Sequence, residues 1–175
     1  MVRHRLQQSA LAGEVRRGSI LDCPWPDGAF DYVVAIGCYH HTGDLRRALA
    51  ETHRVLRPGG GVTLMVYSAY SYRRWLHWPL VTARALVAER RGREAPVVRR
   101  AERAAYDASG SGTAAPETSF VSAAALRAMM RDWRGVEVVR ENIGSELLPP
   151  AMPRRWLLAA LGPWCGLDLY CRAVK

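Results

Sequence analysis

Lysine is almost missing from this chain. Lys175 is the only one, so the net charge of +9 is carried by arginine. No stretch reaches the ~20 consecutive apolar residues of a membrane-crossing helix. The first residues, M-V-R-H-R-L-Q-Q-S-A, hold no apolar signal core. No transmembrane segment or export is therefore expected, and a cytoplasmic location is. Cysteine is sparse. Cys23, Cys38, Cys165 and Cys171 form no C-x-x-C and no Cys/His pair at zinc spacing, so reduced thiols and no metal site are expected. There is no internal repeat and no low-complexity tract. The arginines are scattered rather than gathered into the stripe that nucleic-acid binding needs, so no nucleic-acid partner is expected.

What is present is a foldable chain. Hydrophobic residues make up 49% of the 175, enough for one domain with its own core. The richest stretch runs from Phe30 to Tyr67. Tyr32 to Ile36 is apolar and β-branched, which suits a strand covered on both faces. Gly37, Cys38, Tyr39, His40 and His41 follow at once, where open α/β sheets bind ligands. Asp44 is placed to cap a helix over Asp44–Arg57, with Leu45, Ala48, Leu49, Val55 and Leu56 on one face. Arg54 and Arg57 suit its last turn, and Pro58 and Gly59 should stop it. Val62 to Tyr67 is a second buried strand, parallel to the first through a right-handed crossover.

Elsewhere the signals are weaker. Leu6 to Ala12 reads as a helix end closed by Gly13, and Glu14 to Arg17 as a short strand. Residues 68–121 read as an aromatic and helical insertion with a flexible linker: an aromatic loop into helix, helix over Leu80–Arg103 broken near Gly92 and Pro96, then D-A-S-G-S-G-T-A-A-P-E-T. Ser122 to Trp133 has helical spacing with Ser122 as cap. Val136 to Glu141 is a strand, Leu147 to Pro163 is loop and short helix, and Leu167 to Val174 is the last strand.

The segment G-S-I-L-D-C-P-W-P-D-G-A-F-D-Y-V-V-A-I-G-C-Y-H-H-T-G-D, followed by R-V-L-R-P-G-G and a strand, resembles the class I S-adenosylmethionine-dependent methyltransferases, in particular the type 11, quinone-methyltransferase-like group. The resemblance implies a Rossmann-like α/β fold, with a mostly parallel sheet whose last strand runs antiparallel beside Val62–Tyr67. It also implies S-adenosyl-L-methionine as cofactor and a small-molecule acceptor. Ser19 and Ile20 fall where the family contacts adenine; many relatives carry Gly-Asp-Ala here, and Ser19 departs from that acid. Ile36, Gly37 and Cys38 fall at the methionine end of the cofactor. His40 and His41 are the candidates for chemistry, because histidine titrates near neutral pH and an O–H or N–H acceptor must lose a proton. Tyr67, Tyr70, Tyr72, Trp75 and Trp78 fall in the region that covers the acceptor, where aromatics suit a flat or apolar molecule. His53 and His77 read as packing or surface residues.

The family's opening elements have no counterpart here. No G-x-G precedes residue 18, and no second strand ends in a ribose-binding acid. The difference is about 60 residues, two βα units. The chain thus resembles an N-terminally truncated methyltransferase domain, in which Tyr32–Ile36 becomes a sheet edge that invites self-association or a separate N-terminal half. Weak cofactor binding by the chain alone is expected. Two other readings stand beside methyl transfer: a non-catalytic remnant or interaction module of the same fold, and a basic protein binding RNA or a membrane surface.

Overall fold

The computed structural model describes residues 2–93, 98–106, 117–144 and 153–175. Its centre is a five-stranded sheet. The strands are β1 (Phe30–Ile36), β2 (Leu56–Ser68), β3 (Phe120–Val121), β4 (Arg134–Glu141) and β5 (Asp168–Val174). The order is β1-β2-β5-β4, with β3 pairing only the end of β2. β1 and β2 are parallel, with Val33 opposite Val62 and Ile36 opposite Met65. β5 runs antiparallel to β2, with Leu64 opposite Cys171, and β4 antiparallel to β5.

The helices are α1 (Val2–Gln8), α2 (Leu45–Val55), α3 (Tyr72–His77), α4 (Pro79–Arg90), α5 (Arg100–Tyr106), α6 (Ala123–Met129) and α7 (Arg154–Cys165). α2 begins where its sequence says it should: Asp44 Oδ1 accepts the Arg47 amide at 2.9 Å. Its apolar residues Leu45, Ala48 and Leu49 pack on Val62, Leu64, Val66, Leu169, Cys171 and Ala173, with Leu126 and Met130 from the α6 side. Alternation along β2 and β5 places all these side chains on one face. Burying each large aliphatic side chain there stabilises the fold by about 1.5–3 kcal/mol.

Several expectations are corrected. Arg57, Pro58 and Gly59 do not end the helix. Leu56 is already extended, and the R-P-G-G segment bulges out of β2, so that Phe30 faces Leu56 while Tyr32 faces Gly61. Lys175 closes α2 instead, donating from Nζ to Leu56 O at 2.7 Å and Arg54 O at 3.4 Å. Glu14–Arg17 forms no strand: a strand needs a neighbour, and here Arg16 pairs with Glu14 and lies 3.8 Å over the Trp25 ring. α1 ends before Gly13, through Ala10 in the left-handed region (φ 50) and a Leu11 N–H to Leu6 carbonyl bond. α6 stops at Met129, short of Trp133. Pro96, the 107–116 linker and residues 145–152 lie outside the described residues.

β1 is also not covered on both faces. Val33 and Ala35 point at α2 and the core, but Tyr32, Val34 and Ile36 are 53%, 68% and 48% exposed. The reason is its position: among the described residues β1 pairs with β2 alone and is the sheet's edge.

Candidate active site at the carboxyl ends of β1 and β2

Beyond Ile36 the chain turns through Gly37 (φ 73), a conformation that favours glycine. Cys38 then opens a single 3-10 turn over Tyr39–His41. Tyr39 anchors that turn. Thr52 Oγ1 donates to Ala48 O at 2.7 Å, so the Tyr39 hydroxyl must be the donor in its 2.6 Å bond to Thr52 Oγ1. Burial raises the Tyr39 pKa. Cys38 is exposed at its surface, yet the surrounding protein desolvates the thiol and pushes it up, against the pull of the Tyr39 backbone. A protonated thiol is a poor nucleophile near neutral pH.

The turn brings both histidines to the end of β2. His40 is fully buried, its ring centroid 4.2 Å from that of His41 and 4.0 Å from that of Tyr67. His41 stands edge-on to Tyr67 at 6.2 Å. The segment entering β3 closes the third side: Ser119 N–H donates to His40 O at 2.8 Å, and Glu117 O lies 2.8 Å from His41 Nδ1. Tyr106 and Phe120 extend the aromatic wall, 5.1 Å and 6.0 Å from Tyr67.

Nothing in the sequence brings Glu117, Tyr106 or Phe120 to this place; Glu117 and Phe120 arrive through long-range pairing of β3 with β2, and Tyr106 from the end of α5, its hydroxyl 2.6 Å from Ser71 Oγ. Conversely, the expected aromatic wall disperses. Tyr70 bonds to the Glu89 carboxylate, Tyr72 accepts the Gly144 amide at 3.0 Å, and Trp75 faces solvent. His53 packs edge-on against Trp133 at 4.9 Å, while His77 is exposed.

The stretch holding Ser19 and Ile20 is pinned beside α2. Arg47 Nε donates to Leu21 O at 2.9 Å, Cys23 N–H to Glu51 Oε2 at 3.1 Å, and Arg54 Nη2 to Cys23 O at 3.0 Å. The Arg54 guanidinium, and after it the Cys23 amide, hold the Glu51 carboxyl below its ordinary range. Ser19 Oγ accepts the Leu21 amide at 3.1 Å, and Ile20 packs on the core. Four clefts among the described residues are lined by residues other than Ser19, Ile20, Ile36, Gly37, Cys38, His40 and His41. Ile36, Gly37 and Cys38 are exposed at the end of β1, His41 is half-buried and His40 is buried. Among the described residues no three His, Cys, Asp or Glu side chains form a metal-binding group, and no helix is long and apolar enough to cross a membrane.

Comparison with known proteins gives the arrangement its place. Residues 1–64 match the family profile of the type 11 methyltransferase domain. A 49-residue stretch is 45% identical to the glycine/sarcosine/dimethylglycine N-methyltransferase of Actinopolyspora halophila, covering 28% of this chain and 9% of that one. Another, of 67 residues, is 31% identical to the demethylmenaquinone methyltransferase of Thermus thermophilus, covering 38% of this chain and 30% of that one. The alignments thus span a third or less of these curated relatives. A SAM-dependent methyltransferase of Thermotoga maritima superposes with a TM-score of 0.58 at 18% identity, over 97% of this chain and 66% of its own. With the domain match over residues 1–64, a parallel β1–β2 pair and an antiparallel last strand beside β2, the chain is similar to the class I S-adenosylmethionine-dependent methyltransferases and shares their Rossmann-like α/β fold.

Proposed function

We propose that this domain serves S-adenosylmethionine-dependent methyl transfer to a small-molecule acceptor, with His41 as the group that takes the acceptor's proton. One observation carries this reading. Glu117 O can only accept, so the 2.8 Å contact makes Nδ1 of His41 the protonated nitrogen and leaves the neutral ring's lone pair on Nε2. That tautomer is the one a general base needs, held by a fixed backbone partner. His40, tilted against it at 4.2 Å, and Tyr67, edge-on at 6.2 Å, are the wall that orients the ring.

Bound cofactor supplies an electrophilic methyl group on a positively charged sulfur. The residues present fit one side of such a molecule. Gly37 lets the backbone approach a ligand, flanked by Ile36 and Cys38, and the Ile20 amide with the Ser19 hydroxyl suits an adenine edge. The amino-acid and ribose ends have no such partners in this sequence. Each neutral hydrogen bond nets about 0.5–1.5 kcal/mol, and immobilising a ligand costs at least about 4 kcal/mol. Millimolar affinity is the expected result for this chain by itself.

The second reading, a non-catalytic module of the same fold, is favoured by the openness of the β1 edge. An amide NMR titration of the 175-residue chain with S-adenosylhomocysteine separates the two. Shifts confined to Ser19–Ile20 and Ile36–His41, saturating in the millimolar range, support methyl transfer. The absence of site-specific shifts at about 10 mM, where even a −3 kcal/mol site would be largely filled, supports the module.

A further inference from the structure

We propose that the cleft on the other side of Tyr67 receives a small molecule through its carboxylate, and that Arg154 is the residue that binds it. This deepens the methyl-transfer reading and rests on it, since a ligand there would lie against the same tyrosine that packs on His40.

The cleft encloses about 600 Å³, the size of a small-ligand site, and is lined among others by Tyr67, Tyr106, Arg73, Arg154, Asn142 and Asp168. Its polar groups form a fixed chain. Asp168 is 4% exposed and stands opposite Tyr67 in the β2–β5 pairing. Its Oδ2 accepts from Asn142 Nδ2 at 2.7 Å, which sets the orientation of that amide. Asn142 Oδ1 then accepts from Arg154 Nη2 at 3.0 Å, and Ile143 O takes a weaker bond from the same nitrogen at 3.4 Å. The guanidinium is therefore positioned before any ligand arrives.

Charge and donor supply decide the ligand's class. Among the described residues that line the cleft, the charged ones are two guanidiniums, Arg73 and Arg154, and one buried carboxylate, Asp168, so this lining is net cationic. Both Arg154 bonds use Nη2 and end on neutral oxygens. Among the described residues no carboxylate pairs with Arg154, and its Nε and Nη1 hydrogens have no acceptor. With Nη2 engaged, the remaining Nε and Nη1 donors lie on separate edges of the guanidinium, so a carboxylate in the cleft would take a single charge-assisted hydrogen bond from Arg154. Arg73 lies 5.1 Å over the Tyr106 ring, with its head near the same space. The rings of Tyr67 and Tyr106, 5.1 Å apart, offer their surfaces to a flat ligand body. The amine alternative fails on the same ground: the anion among the described lining residues, Asp168, is buried and already engaged by Asn142.

The test uses the whole chain without cofactor, so that its outcome does not depend on methyl transfer. Four probes are titrated and followed at the Tyr67 and Gly144 amides: 4-hydroxybenzoate, its neutral counterpart 4-hydroxybenzamide, the cation tyramine, and inorganic phosphate. The expected result is about tenfold tighter binding of the benzoate than of the benzamide, the worth of one charge-assisted hydrogen bond. Arg154→Ala should erase that ratio and Arg154→Lys should restore part of it. Equal affinity of benzoate and benzamide, tighter binding of tyramine, an unchanged ratio in Arg154→Ala, or displacement of the benzoate by phosphate at equal concentration would each overturn the assignment. If Arg154→Ala does not fold, the ratio on the unaltered chain still decides. Failure of the methyl-transfer reading would show at Ser19–Ile20 and Ile36–His41 in the S-adenosylhomocysteine titration, independently of this result.

Discussion

The ring of His41 and the carbonyl of Glu117 meet at 2.8 Å across 76 residues of chain. Together with the Ser119–His40 backbone bond, this contact ties the turn after β1 to the segment entering β3. His41→Ala should lower stability by about 0.5–1.5 kcal/mol, the net worth of one hydrogen bond. It should also speed amide exchange at Ser119 and Phe120 while leaving β5 protected. Unchanged exchange at Ser119 would mean that the ring does not hold the segment.

Gly61 is a packing requirement. Tyr32 faces it across the β1–β2 pair, and a Cβ at position 61 would stand 2.6 Å from Tyr32 Cε2. Gly61→Ala should cost about 1–3 kcal/mol, as overpacking does. In a Tyr32→Ala background the same change should cost much less. Denaturant midpoints for the two singles and the double give the coupling; strict additivity would remove Tyr32 as the cause.

Arg74 and Glu102 form a buried ion pair at 2.8 Å, with side chains 5% and 0% exposed, that joins α3 to α5. Arg74 also lies 4.3 Å over the Phe120 ring. Glu102→Leu alone leaves a buried cation and should cost about 3–5 kcal/mol. Arg74→Met with Glu102→Leu should recover most of that loss. Equilibrium denaturation of the three variants decides; a double variant no better than the single would contradict it.

Much of this was legible in the sequence. Asp44, the α2 stripe and the two apolar runs are local signals, and each led to the right element. The R-P-G-G segment misled because the same residues that stop a helix also make a bulge. Tyr32–Ile36 reads as doubly covered because apolar composition does not say whether a neighbour is present. The least legible features are Glu117, Tyr106 and Phe120 around the histidines, and Asn142, Arg154 and Asp168 around Tyr67. Each is brought in by pairing or packing between distant segments, for which a one-dimensional pattern carries no trace.

Glu51 gives the fold a specific acid response. The Arg54 guanidinium and the Cys23 amide lower its folded pKa. A lowered carboxyl contributes stability that is fully present above the unfolded value of about 4.3 and is lost as pH falls through the folded value. The stability difference between the chain and Glu51→Gln should be constant from neutral pH down to that range and then shrink. A difference that does not change with acid would rule out this carboxylate as its source.

The two edges of the sheet are not alike. β4 carries Arg134, Glu137, Arg140 and Glu141, and such charges discourage a foreign strand from docking. β1 offers Tyr32 to Ile36 with no charge or proline among them. Copies that join along β1 consume both adhesive edges at once, and what remains outside is charged on either flank. Association by this route stops at two and does not propagate into a fibre, so light scattering of concentrated solutions would level off at twice the monomer mass instead of climbing.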